Sequence, residues 1–166
     1  MHSPHLSDIH LPELGAGAGL LLWGFRACAF GARRCCAVTT GYDRAFGEEG
    51  EDTLEAVLAF TRAIGTEGAR KIQLSAPGCG RMTKDEVSIA CVFSAAQAWD
   101  EAARDAHLTW LLASEPRRAL CERVTRIADA FAGHGLPVMA PASARAVPCG
   151  ITPAFRVISG GRRAAS

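Results

Sequence analysis

Apolar residues recur at helical spacing along most of the chain. Leu54, Val57, Leu58, Thr61 and Ile64 share one face, with Glu51, Asp52 and Glu55 near the start and Gly65 placed to close the helix. Leu120, Val124, Ile127 and Phe131 form a second stripe. Ser114 is its expected N-cap, Pro116 lies in its first turn, and Gly133, Gly135 and Pro137 end it. Between the two, a helix from Thr83 to about Arg104 is apolar on two faces, through Val87, Ala90 and Cys91 and through Ile89, Val92 and Phe93. Such a helix belongs at the centre of a bundle. The apolar run His107–Ala113 continues beyond it. A further helix is expected from about Glu13 to Arg33. Leu20, Leu21, Leu22, Trp23, Phe25 and Phe30 cover most of its circumference, and Arg33 and Arg34 favour its C-terminal dipole. Tyr42 to Phe46 predicts a short helix or turn.

Two stretches depart from this period. Lys71-Ile72-Gln73-Leu74-Ser75 alternates polar and apolar, as a short strand does, and Ala154–Ile158 is a second strand candidate. A lone strand is unstable in water, so the first needs a partner or serves as an extended linker. The expected fold is mainly α, a compact bundle of four to five helices around the 83–104 helix, with a small two-stranded element. Residues 1–12, with Pro4 and Pro12, read as an extended arm, 13–138 as the helical domain, and 139–166 as a Pro/Gly-rich, partly disordered segment.

Composition narrows the class. The chain has 166 residues, 49% hydrophobic and 21% charged, enough for one packed domain. Its 18 basic and 17 acidic residues leave a formal net charge of +1, without the basic excess of a nucleic-acid binder. The run Leu14–Ala32 is apolar apart from Arg26. No Lys or Arg precedes it, which argues against a secretory signal, and an arginine near its middle costs roughly 2.5–3.5 kcal/mol in a membrane span. A buried helix fits it better. The 7 cysteines lack the spacing of a disulfide scaffold, and a reducing cytoplasmic setting is expected.

One loop carries candidate chemistry. Ser75-Ala76-Pro77-Gly78-Cys79-Gly80-Arg81-Met82 runs into Thr83-Lys84-Asp85-Glu86, the pattern of a capping box. Cys79 therefore sits ahead of a helix N-terminus and beside Arg81, features that favour a thiolate. Gly78, Gly80, Arg81 and Thr83 are the candidate anion-binding residues. Phosphatase-like loops place an arginine six positions after the cysteine; here that position is Asp85. Cys35, Cys36 and Cys79 form a candidate site for zinc or another thiophilic metal, with Cys149 or His134 as further ligands. A Cys-x-x-Cys hook is lacking, and no cofactor is predicted. His2, His5 and His10 in the arm have no compact ligand spacing. Gly15-Ala16-Gly17-Ala18-Gly19 lacks the preceding strand and third glycine of a dinucleotide loop and reads as close packing at a helix start. Met82, Trp23, Trp99 and Trp110 read as core residues, with enough tryptophan surface to leave a patch for a partner.

The helix segment Leu21-Leu22-Trp23-Gly24-Phe25-Arg26-Ala27, followed by Pro77-Gly78-Cys79-Gly80-Arg81-Met82-Thr83 and an acidic pair, resembles a family of small uncharacterised proteobacterial proteins over about residues 11–137. The resemblance implies a standalone helical protein in a bacterial cytoplasm and transfers no activity or site residue.

No catalytic constellation is legible, so the leading expectation is a small non-enzymatic interaction or regulatory protein, homodimeric or bound to a protein partner. The alternatives are a thiol-based redox or metal-responsive protein using Cys79 with Cys35 or Cys36, and a small-anion binder at the Thr83 helix start.

Overall fold

The computed structural model describes residues 9–32 and 35–145 and is mainly helical. Six helices of eleven or more residues are described: α1 (Gly15–Ala29), α2 (Cys36–Phe46), α3 (Gly50–Glu67), α4 (Lys84–Gln97), α5 (Glu101–Leu112) and α6 (Arg118–Gly133). A four-residue α7 (Ala142–Arg145) and two short 3-10 turns complete the set.

Burial explains the arrangement. α4 buries Val87, Ile89, Ala90, Cys91, Val92 and Phe93, on more than one side, and packs against α5 and α6. α3 lies against α1, α2 and α6. Phe60 links two of these layers, with ring centroids 5.7 Å from Phe25 of α1 and 5.1 Å from Phe93 of α4. A second aromatic cluster joins α2 to α6, where Phe46 lies 4.9 Å from Phe131. α1 packs closely because it carries glycine where a side chain would collide. A Cβ at Gly24 would run into the Tyr42 hydroxyl, and one at Gly17 into the backbone carbonyls of Leu136 and Pro137. Within the glycine run at the start of α1, Gly17 is thus a packing contact, whereas Gly15 and Gly19 have open space where a side chain would sit.

Several boundaries differ from expectation, each for a local reason. α1 stops at Ala29, Gly31 follows at φ 77°, and Cys35 and Cys36 open α2 instead of closing α1. The helix begun at Thr83 ends at Gln97. Trp99 takes a left-handed φ of 60°, and Asp100 caps a new helix by accepting from the Ala103 N–H at 2.9 Å. Ser114 does not cap α6, which starts later, behind Pro116, with Arg117 as an N-cap lacking a side-chain bond. Gly65 lies within α3. Met82 is core, but Trp23 is half-buried, and Trp99 and Trp110 are 79% and 58% exposed.

No strand forms among the described residues; the nearest is an isolated antiparallel bridge between His10 and Arg81. The second strand candidate, 154–158, lies outside the described residues. From Ile9 onward the arm is tied down. The Leu11 N–H donates to Gly80 O at 2.8 Å, the Met82 N–H donates to Ile9 O at 3.1 Å, and Leu11 packs on the core. No described helix is long and apolar enough to cross a membrane.

Candidate functional site

The loop 76–82 is held from below by a residue that sequence reasoning passed over. Arg26, in the last turn of α1, is wholly buried, and its guanidinium makes five hydrogen bonds. Nε and Nη2 donate to the two Glu86 carboxylate oxygens at 2.6 and 3.0 Å, a bidentate pair. Nη1 donates to Cys79 O at 2.6 Å and Ala76 O at 3.4 Å, and Nη2 also reaches Arg81 O at 3.0 Å. A planar fork of five fixed donors suits this task, and a lysine ammonium could not reproduce it.

Glu86 completes the joint from the other side. It is the N3 residue of the expected capping box: its amide donates to the Thr83 hydroxyl at 3.1 Å, and its carboxylate accepts from the Thr83 N–H at 2.8 Å. The same carboxylate accepts from the Ser75 N–H at 3.1 Å. One ion pair therefore ties α1, the loop and the start of α4 into a single unit.

Its neighbour Asp85 does the same for the segment before the loop. It takes both terminal nitrogens of Arg70, at 2.6 and 3.1 Å, and the Gln73 N–H at 2.8 Å. Burial pushes the Asp85 carboxyl up, but the bonds from Arg70 and Gln73 and the Arg70 charge outweigh it, so it titrates below its ordinary value. Arg70 also lies over the Trp110 ring, 5.2 Å from its centroid.

The sequence candidates fall around this joint unevenly. Cys79 is half-buried, its N–H closes a turn to Ala76 O at 2.9 Å, and its carbonyl is held by Arg26. It lines an open groove of about 470 Å³ with Leu11, Gly15, Gly19 and Trp23. Cys35 and Cys36 are exposed, do not line that groove, and are not disulfide-bonded to Cys79. No group of three or more His, Cys, Asp or Glu side chains among the described residues is placed to hold a metal ion, so Cys35, Cys36 and Cys79 are not gathered into one. His134 instead meets Phe46 edge to face, with ring centroids 5.1 Å apart, and Cys149 lies outside the described residues.

The anion candidates have other partners. Thr83 donates to Gln73 O at 2.7 Å and caps α4. Asp85 and Glu86 bring two carboxylates to the N-terminus that an anion would approach, and Arg81 is exposed while its carbonyl serves Arg26. Like charge at that helix start opposes a bound anion.

The missed residue did leave a signal. A single arginine inside an otherwise apolar helix has to find a buried acid if the helix is not in a membrane, and the capping-box glutamate was such an acid. Comparison with known proteins returned no matching family model, no matching curated protein and no matching solved structure.

Proposed function

We propose that this chain is a small protein–protein interaction module and not an enzyme, working in a bacterial cytoplasm and able to associate with itself. One observation carries the reading. A groove of about 460 Å³ is lined by Phe25, Ala29, Ile64, Ile72 and Leu74 together with Thr61, Arg70 and Lys71, and two large exposed aromatic residues adjoin lining residues. Phe30, next to Ala29, is 57% exposed; Trp110, under the Arg70 guanidinium, is 58% exposed. Apolar surface concentrated in this way marks an interaction site more often than a scattered exposed residue does. The Arg26–Glu86 joint and the Arg70–Asp85 pair hold the non-helical wall of the groove in one shape, which lowers the ordering cost of binding.

The test places a photo-crosslinking residue at position 30 or 110 in cells making the protein, with position 51, at the far end of α3, as control. The expected result is a discrete adduct from 30 and 110 and none from 51. Equal, diffuse labelling at all three positions would end the reading.

A second reading has one observation behind it: the Cys79 thiol is part-exposed at the rim of its own groove. In this reading Cys79 is a redox-responsive thiol, and a metal-responsive version would draw ligands from outside the described residues or from a second copy. Alkylation of Cys79 at neutral pH should then outpace that of the more exposed Cys35. A slower Cys79 rate would sink it.

A further inference from the structure

The segment Lys71–Ser75 has one edge satisfied and one edge open. Burial alternates along it: Ile72 and Leu74 pack on the core, while Lys71 and Gln73 are exposed. Hydrogen bonding alternates as well. Gln73 uses both backbone groups towards α4, its N–H to Asp85 and its carbonyl accepting from Thr83, and the Ser75 N–H goes to Glu86. Neither the N–H nor the carbonyl of Ile72 or Leu74 has a hydrogen-bond partner among the described residues. In an extended chain, residues two apart present their backbone groups to the same edge, so Ile72 and Leu74 share the edge away from the α4 carboxylates. This is the unpaired edge of a non-helical segment whose other edge is occupied by side chains of a helix start. Such an edge is a template for another extended chain.

We propose that this edge pairs antiparallel with the same edge of a second copy, about a two-fold axis at Gln73. The proposal rests on the interaction-module reading and names its partner. The register is self-complementary. Ile72 exchanges two hydrogen bonds with the partner's Leu74, and Leu74 exchanges two with the partner's Ile72, so all four open donors and all four open acceptors are accounted for by one symmetric pairing. Gln73 faces the partner's Gln73 in a close, non-hydrogen-bonded pair, and Lys71 faces the partner's Ser75, so no like charges oppose each other across the ladder. A net charge of +1 leaves little repulsion between copies. Exposed Phe30, next to Ala29, and Trp110, under Arg70, adjoin the groove that Ile72 and Leu74 line and would supply apolar surface that so short a ladder lacks on its own.

The experiment uses the full chain and the exposed side chain of Gln73, which makes no hydrogen bond among the described residues. Sedimentation equilibrium should show a monomer–dimer equilibrium, and hydrogen exchange at the Ile72 and Leu74 amides should slow as concentration rises. Gln73→Lys and Gln73→Glu each place like charges across the axis and should each weaken the dimer by up to about fivefold, while an equimolar mixture of the two variants should recover it. A monomer at every concentration with both amides exchanging freely overturns self-pairing. So does amide protection independent of concentration, which assigns the edge to an intrachain partner, or a dimer indifferent to both charges. A monomer that still gives a discrete adduct to a different protein from position 30 overturns self-pairing alone and leaves the interaction reading standing.

Discussion

Asp85 and Glu86 are neighbours in the first turn of α4, and each is held by an arginine from an earlier part of the chain. Their environments separate them. The side chains of Glu86 and Arg26 are both fully buried, whereas Asp85 keeps 7% of its side-chain surface and Arg70 keeps 30%. The buried pair also carries backbone: three carbonyls on the arginine side, and the Ser75 and Thr83 N–H groups on the glutamate side. The outer pair carries less: the Gln73 amide on its acid and the Trp110 and Lys71 carbonyls on its arginine, which is partly solvated. An ion pair of this kind is worth what it holds together more than what it gains by attraction, because desolvation cancels much of the Coulomb energy.

The largest effect should come from breaking the inner pair. Glu86→Gln or Arg26→Leu should each cost about 3–5 kcal/mol, since each strands a buried charge. Replacing both residues by apolar ones should not restore stability, because the Ala76, Cys79 and Arg81 carbonyls and the Ser75 and Thr83 amides would remain unpaired. Urea unfolding of the two single variants and the double variant checks this. A double variant as stable as the original chain would show that the joint has no loop-holding role.

Asp85→Asn comes next, at about 1–2 kcal/mol after allowing for solvent screening at Arg70. It also has a pH signature. The folded carboxyl titrates below its ordinary value of 3.8, so the unfolded chain takes up the proton first as pH falls. The contribution is full above that value and is lost as pH drops through the folded pKa. In the Asn variant, stability measured across the acid range should fall less steeply.

Thr83→Ala should cost about 1 kcal/mol, the usual effect of losing a helix cap. Glu86 would keep its Arg26 and Ser75 bonds, so in thermal unfolding the loss should be smaller than that of Glu86→Gln. An equal loss would mean that the cap and the ion pair act as one unit.

The smallest effect lies away from both pairs. Burial holds the His107 imidazole below its ordinary 6.5, so folding favours its neutral form. Its contribution is full above 6.5 and declines as pH falls from there, and His107→Gln should remove that shallow slope from a stability–pH profile.

Much of the fold was legible because it rests on local rules. The α3 and α6 stripes, the Thr83–Glu86 capping box and the helix breaks at Gly133 and Gly135 follow from spacing and backbone chemistry within a few residues. The broken helix at Trp99 is not legible, since nothing in the residues around 98–100 forbids continuation; Asp100 caps a new helix inside a run whose periodicity predicts one continuous helix. Trp99 and Trp110 were misjudged for a related reason: side-chain type suggests burial, but exposure depends on what the rest of the bundle leaves uncovered. In the candidate loop, Cys79, Arg81 and Thr83 drew notice as residue types. Arg26, which organises the loop, lies 53 residues from Cys79 and 60 from Glu86.

That separation marks the boundary between the two sources of information. Helix faces, caps and glycine breaks depend on interactions within a turn or two, and a linear reading recovers them. Which acid neutralises a buried arginine, which carbonyls share its fork, and which backbone edge is left open depend on how α1, the 70–82 segment and α4 meet. Only the packed molecule decides those, because a charge removed from water must be matched by whatever partners the fold brings within hydrogen-bond reach.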